Sequence, residues 1–222
     1  MPAPDLIALR DICFSFDGSK RVLDNANFTL QPGERVALTG PNGAGKTTLF
    51  HIMMGLRKVD SGTVNILDNT CKSEQDFAAI RGRVGLLFQD SDDQLFCPTV
   101  IEDVAFGPLN LGATDADALA ISHKTLADLG LDGFENRITH HLSGGEKRLV
   151  ALATVLAMKP EILLLDEPTT GLDNAVETRL TAILQSLPQA MVIISHNHAF
   201  LKQVATRTVS QQNGKLVSDT PR

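Results

Sequence analysis

The chain has no tryptophan and no tyrosine, so any aromatic stacking falls to its 10 phenylalanines and comes without a phenolic hydrogen bond. Cysteine is scarce too. Cys13, Cys71 and Cys97 are odd in number, widely spaced and form no CxxC pair, which argues against a disulfide framework or a zinc site and for reduced thiols. Basic residues fall short of acidic ones, 20 against 26, and the formal charge of −6 argues against a protein that grips nucleic acid by charge. A local basic cluster such as Lys147–Arg148 is too small to reverse that. Long apolar runs are missing: "EILLLDE" is far too short to cross a bilayer, and "MPAPDLIALRD" lacks the basic start and apolar run of a signal peptide. A cytoplasmic protein is expected, one that another protein would have to anchor if it works at a membrane. No repeat, low-complexity tract or long linker interrupts the 222 residues, which suit one large domain or a core with a subdomain.

What is present alternates. "IALRDICFSF" and "NFTL", separated by the turn "DGSKR", read as short N-terminal strands. "ERVALTG" is a strand running into a glycine turn, and "GKTTLFHIMMG" is a helix closed by Gly55. "SGTVNILDN" and "RVGLLFQ" read as strands, and "SEQDFAAIRGR" opens with a possible capping box from Ser73 to Asp76. From Asp90 to about Leu156 strand-like runs vanish, and "TDADALAISHKTLADLGL" and "GEKRLVALATVLAMK" read as helices. The core then resumes with the strand "EILLLDE", an amphipathic helix carrying Val176, Leu180, Ile183, Leu184 and Leu187 on one stripe, and the strand "MVIIS". Continuously apolar strands alternating with helices indicate a mostly parallel sheet covered on both faces. The expected class is α/β, with an N-terminal antiparallel β subdomain, a core over about 1–89 and 157–222, and an inserted helical subdomain over about 90–156.

The chemistry starts at "GPNGAGKT", Gly40 to Thr47, which fits G-x-x-x-x-G-K-[ST] between a strand and a helix. Its glycines let backbone N–H groups curl around phosphates, Lys46 reaches the β/γ oxygens, and the Thr47 hydroxyl can ligate Mg²⁺. "ILLLDE", Ile162 to Glu167, ends a buried strand on two carboxylates, which calls for something cationic or catalytic facing them. Asp166 suits Mg²⁺ and Glu167 the attacking water. Gln89 and His196 each end an apolar strand, where an amide could meet metal and water and an imidazole a γ-phosphate; an ordinary polar strand end is the alternative for both. "LSGGE", Leu142 to Glu146, runs a glycine pair into a helix, a second arrangement of backbone donors suited to an anion.

In this order the set resembles the nucleotide-binding subunit of an ABC transporter, a P-loop NTPase with a RecA-like core, over essentially the whole chain. The matching residues are Gly40 to Thr48, Gln89, Leu142 to Glu146, Ile162 to Glu167, Gly171–Leu172–Asp173 and His196. The resemblance implies ATP and Mg²⁺ as cofactors, and phosphate contacts from Asn42, Gly43, Ala44, Gly45, Lys46, Thr47 and Thr48. It implies metal contacts from Thr47, Gln89 and Asp166, and catalysis by Glu167 with His196 and Gln89. It also implies a head-to-tail pair of ATPase subunits, identical or related, in which Ser143 and Gly145 serve the nucleotide held by the other subunit, and it implies Asp173 as a further nucleotide-binding residue.

Three departures stand out. Phe16 occupies the position that resembles the family's adenine-stacking tyrosine, with Phe14 and Phe28 as competitors and a core role as the alternative. Glu146 stands where glutamine is usual, and the stretch after His196 is expected to form a helix and a closing strand pair rather than a regulatory domain. The stretch "DSDDQLFCPTVIEDVAFGPLNLG" resembles energy-coupling-factor importers of the cobalt/nickel and biotin types. That implies a transmembrane coupling protein and a substrate-binding membrane protein as partners, a place at the cytoplasmic face of the membrane, and docking through Gln94, Leu95 and Phe96. A loop whose Leu95 and Phe96 pack inward is the alternative. The rival functions are a soluble ATPase of the same superfamily and a low-turnover regulatory subunit; His140–His141 is read as solvated rather than metal-binding.

Overall fold

The computed structural model describes residues 4–16 and 21–218. Two sheets face one another. In the smaller one, β1 (Ile7–Ser15) pairs antiparallel with β2 (Arg21–Leu30) and with β4 (Ser61–Ile66), and β4 pairs with the short β5 (Asn69–Thr70), giving the order β2-β1-β4-β5. β2 reaches further back than the sequence indicated. Asn25 sits at φ 50 and interrupts the alternation with β1, so the pattern hid one continuous strand. The expected turn lies mostly outside the described residues, over 17–20.

The larger sheet holds β6 (Val84–Leu87), β7 (Ile162–Asp166), β8 (Ala190–Ile194), β3 (Arg35–Thr39), β9 (Arg207–Gln212) and β10 (Lys215–Ser218). Its order is β10-β9-β3-β8-β7-β6, parallel from β9 to β6 and closed by antiparallel β10. All residues of β7 and β8 are buried, as expected for parallel strands covered on both faces. One apolar cluster fills the space between the sheets around α1 (Lys46–Met53), with Phe50, Leu38 and Ile66 fully enclosed.

The other face of the large sheet carries α5 (Gly144–Leu156), α6 (Asn174–Ser186) and α7 (His198–Val204), and α3 (Val100–Asn110) and α4 (Asp115–Asp128) pack against each other and against α5 in the same apolar cluster. Leu180 and Leu184 of the α6 stripe are fully buried, and Val176, Ile183 and Leu187 pack beside them. Each such leucine contributes about 1.5–3 kcal/mol. The capping box expected at Ser73 opens α2 (Glu74–Ala78): Ser73 Oγ accepts from Asp76 N, and the Asp76 carboxylate accepts from Ser73 N at 2.8 Å. α3 adds a helix the sequence reading passed over, because Gly107–Pro108 reads as a break. A capping box between Thr99 and Glu102 starts it, and the proline falls in its last turn.

Candidate functional site

Because β3, β6, β7 and β8 are parallel, their C-terminal ends open at one edge of the sheet, and each leads into a loop or polar residue the sequence singled out. β3 runs into the glycine loop and α1, β6 into Gln89, β7 into Asp166 and Glu167, and β8 into His196. They line one cleft of about 640 Å³ with Phe16, Asn42, Gly43, Gly45, Lys46, Thr47, Thr48 and Thr170. Phe16 is 42% exposed on its wall, so the core alternative is excluded; the ring meets Phe14 edge-on at 5.0 Å, with Arg57 5.6 Å above it. Ala44 differs from its loop neighbours: its carbonyl turns beneath the loop to Gln211.

Lys46 is buried, and its ammonium donates to the carbonyls of Gly40 at 2.8 Å and Pro41 at 3.1 Å. Burial lowers its pKa, while the charges of Glu167 and Asp166 oppose the shift. The Thr47 hydroxyl donates to Asp166 at 2.8 Å, bridging helix start and strand end. Burial raises the pKa of Asp166; the Thr47 hydrogen bond works against that, and adjacent Glu167 adds to it. A hydroxyl beside a carboxylate is the oxygen-donor set that Mg²⁺ takes when phosphates and water supply the rest. No group of three or more His, Cys, Asp and Glu side chains placed to hold a metal exists among the described residues.

Glu167 is turned by its backbone, at φ 46, out of the strand path while its N–H still donates to Ile194 O. One carboxylate oxygen accepts from the Thr170 hydroxyl at 3.1 Å and from His196 N at 3.3 Å. The other, Oε1, is buried without a hydrogen-bond partner, with the exposed His196 Nε2 at 3.6 Å, beyond hydrogen-bond reach. A buried carboxylate oxygen left over is costly unless a ligand or water completes it. Neither Thr170 nor its role was visible in the sequence, beyond a hydroxyl three residues after the acid.

Ser143, Gly145 and Asp173 do not line this cleft. Ser143 caps α5, with its N–H and hydroxyl both donating to the Glu146 carboxylate at 2.8 and 2.9 Å. Those bonds lower the Glu146 pKa, and an ion pair with Arg137 at 2.9 Å adds to them. Asp173 caps α6 by accepting from Ala175 and Val176 N–H. Gly145 packs against Val176. An adjoining cleft of about 680 Å³ reaches Gly144 and shares Thr47, Gln89, Asp166 and Thr170 with the first.

Arg148 was missed as well. It is buried on the stripe with Leu152 and Val155, a charge in an apolar register that the helical period could have flagged. Its guanidinium donates to Phe88 O at 2.6 Å and to Gln89 O, which ties α5 to the end of β6. Burial lowers its pKa, opposed by Asp90, Asp166 and Glu167.

The expected knob is corrected in part. Gln94 turns inward, accepting from Phe88 N and donating to Ala151 O and the Thr154 hydroxyl, so it stitches its loop to β6 and α5. Leu95 is buried in the helical core. Phe96 alone of the three is outside, 61% exposed, and meets exposed Phe106 edge-on at 4.8 Å. His140 and His141 are both exposed, as read.

The family described as ABC transporter matches residues 23–170. An ABC transporter ATP-binding protein of Brucella suis biovar 1 is 51% identical over 96% of this chain and 88% of its own length. The energy-coupling factor transporter ATP-binding protein EcfA of Methanothermobacter thermautotrophicus is 44% identical over 96% of this chain and 70% of its own. The solved structure of cbiO1 from Clostridium perfringens, part of the ABC transporter complex cbiONQ, superposes with a TM-score of 0.85 at 28% identity, covering 96% of this chain and 87% of that one. With the glycine loop, the paired acids and the second glycine pair in this fold, the chain belongs to the ABC transporter family as an ATP-binding, ATP-hydrolysing subunit.

Proposed function

We propose that this ATPase drives uptake of a metal ion or vitamin through an importer of energy-coupling-factor type. The observation that carries the catalytic half is the cleft in which the phosphate loop, the Thr47–Asp166 pair and the unpartnered Glu167 Oε1 meet. Asn42, Gly43 and Gly45 to Thr48 cradle the phosphates of ATP, with Ala44 shaping the loop from beneath, and Phe16 stacks on adenine. Thr47 and Asp166, with Gln89 at the end of β6, hold Mg²⁺, which when bound neutralises phosphate charge. Glu167 has one oxygen pinned by Thr170 and His196 N–H, which leaves Oε1 to accept from the attacking water. His196 stands at the cleft mouth, where its imidazole meets the γ-phosphate.

Membership of the family implies a pair of ATPase subunits working with membrane partners. Ser143, Gly145 and Asp173 do not line the cleft of their own chain, which supports a role at the neighbour's nucleotide. In the single chain Glu146 already occupies the donors of Ser143, with Arg137 offsetting its charge. Docking to a transmembrane coupling protein falls to Phe96 and Phe106, with Gln94 and Leu95 as the support beneath. The region of about 90–156 then acts as the helical subdomain, resting on the core of 1–89 and 157–222 through α5. A substrate-binding membrane protein completes the assembly at the cytoplasmic face of the membrane. No helix among the described residues is long and apolar enough to span a bilayer, so the partners anchor it. The names of the EcfA and cbiO1 relatives support this type, and cobalt, nickel and biotin are the cargoes to try first.

The test is Glu167→Gln, with mass in solution followed by light scattering. ATP binding should persist, turnover should fall by about 10²–10⁴, and Mg·ATP should shift monomer to dimer. Turnover like wild type would remove Glu167 as the base, and a monomer that still binds ATP would point to a different ATPase as partner.

A further inference from the structure

β9 alternates, and its inward positions are Val209 and Gln211. Gln211 is completely buried, which is unusual for a primary amide and costly wherever a polar atom goes unsatisfied. Its Nε2 donates to the carbonyl of Ala44 at 2.6 Å, while its Oε1 has no partner among the described residues. The amide therefore serves one bond, and that bond is to the phosphate loop.

The loop is shaped around this residue. Gly40 has φ 142, and a Cβ there would lie 2.4 Å from the Gln211 carbonyl oxygen. Gly45 has φ 102, and a Cβ there would lie 2.3 Å from Val22 Cγ1 and 2.9 Å from Gln211 Nε2. Beyond their backbone angles, both positions demand glycine: at Gly40 the β9 backbone presses against the loop, and at Gly45 the space is taken by Val22 of β2 and the Gln211 amide.

A trans peptide points its C=O and the next N–H in opposite directions. Fixing the Ala44 carbonyl beneath the loop thus aims the Gly45 N–H the other way, toward the cleft that Gly45 lines. With the carbonyl unanchored, the same peptide plane can rotate and present oxygen to an anion. We propose that Gln211 is a positioning residue for nucleotide binding: its amide holds the Ala44 carbonyl down so that the Gly45 N–H is presented to phosphate. The inference rests on the reading of Gly40 to Thr47 as the phosphate site.

The test replaces the amide with a side chain of equal length, Gln211→Met, with Lys46→Ala as the control. Calorimetric Kd values are measured for ATP, ADP and tripolyphosphate, after the nucleotide-free melting temperature. Gln211→Met should melt at or above the wild-type temperature, since it also removes the orphan Oε1. All three ligands should bind about tenfold more weakly, the scale of one charge-assisted hydrogen bond. Gln211→Asn keeps the amide on an arm one methylene too short and should share the loss. Equal weakening for tripolyphosphate, which has no base, is a response that general destabilisation does not give. Unchanged Kd values in folded Gln211→Met, or a Met variant that fails to fold, would overturn the assignment. Lys46→Ala separates the two readings: if it binds tripolyphosphate like wild type, the phosphate-loop reading itself fails, whereas if it alone weakens binding, only Gln211 loses its role.

Discussion

Replacing Arg148 with methionine removes the tie between α5 and the end of β6 while keeping most of the apolar volume. The guanidinium is 4% exposed and supplies donors to two carbonyls, Phe88 O and Gln89 O. Gross loss of two charge-assisted bonds is about 3–6 kcal/mol, at about 1.5–3 kcal/mol each. Against that stands the desolvation penalty of a buried cation, several kcal/mol, which the variant recovers. Gln89 is exposed, so its carbonyl can turn to water, but Phe88 is half-buried and its carbonyl stays short of a donor. The net expectation is a loss of about 2 kcal/mol, or about 4–8 °C in melting temperature for a domain of this size. Arg148 lies outside the phosphate cleft, so ATP affinity should hold within twofold or so, while turnover falls about tenfold or more because Gln89 loses its backbone anchor. Thermal melts, calorimetric ATP binding and steady-state hydrolysis, run with any partner the wild type needs, read the three quantities separately. Arg148→Lys reaches one carbonyl at a time and should fall between. A methionine variant that melts and hydrolyses like wild type would refute the reasoning.

Phe96→Glu with Phe106→Glu changes two exposed rings, so melting and soluble ATP binding should stay near wild type, within about 0.5 kcal/mol per site, while co-purification with the membrane partner is lost; retained assembly would remove the patch as a contact. Cys97 has its thiol pushed up to about 11 by burial, then by the charge of Asp103 and a hydrogen bond to it. Alkylation of Cys97 at pH 8, followed by mass spectrometry, should therefore run about 100-fold slower than for a free thiol and rise about tenfold per pH unit until pH nears that value. Asp103→Asn should speed it, and a flat pH profile would contradict the placement of Cys97 beside that carboxylate.

The features legible in the sequence were those whose cause is local. Ser73 and Asp76 cap each other across three residues, and the glycine loop carries its own strand and helix. The apolar strands announced a parallel sheet, and parallel strands ending in Gln89, Asp166 and His196 must open at one edge. What stayed hidden depends on partners distant in the chain. Gln94 looked like a surface amide until Ala151 and Thr154 supplied its acceptors, and Leu95 followed it inward. Gln211 is 167 residues from the carbonyl it holds, and nothing near it in sequence names that partner. Gly107–Pro108 hid α3 because a proline in a last helical turn has the same local signature as a break.

The position of β3 also bears on how the protein is made. Its two neighbours, β8 and β9, begin at Ala190 and Arg207, about 150 and 170 residues after β3 ends at Thr39. At about 5–20 residues per second, a ribosome needs roughly 8–30 s to supply them. During that interval the strand that feeds the glycine loop has both hydrogen-bonding edges unsatisfied, and the Ala44 carbonyl has no Gln211 beneath it. The nascent chain is then most open to misplaced strand pairing, and an early stop between α1 and β9 leaves the loop sequence complete without the full sheet that shapes it. The part of the site that is synthesised first becomes able to hold a nucleotide last.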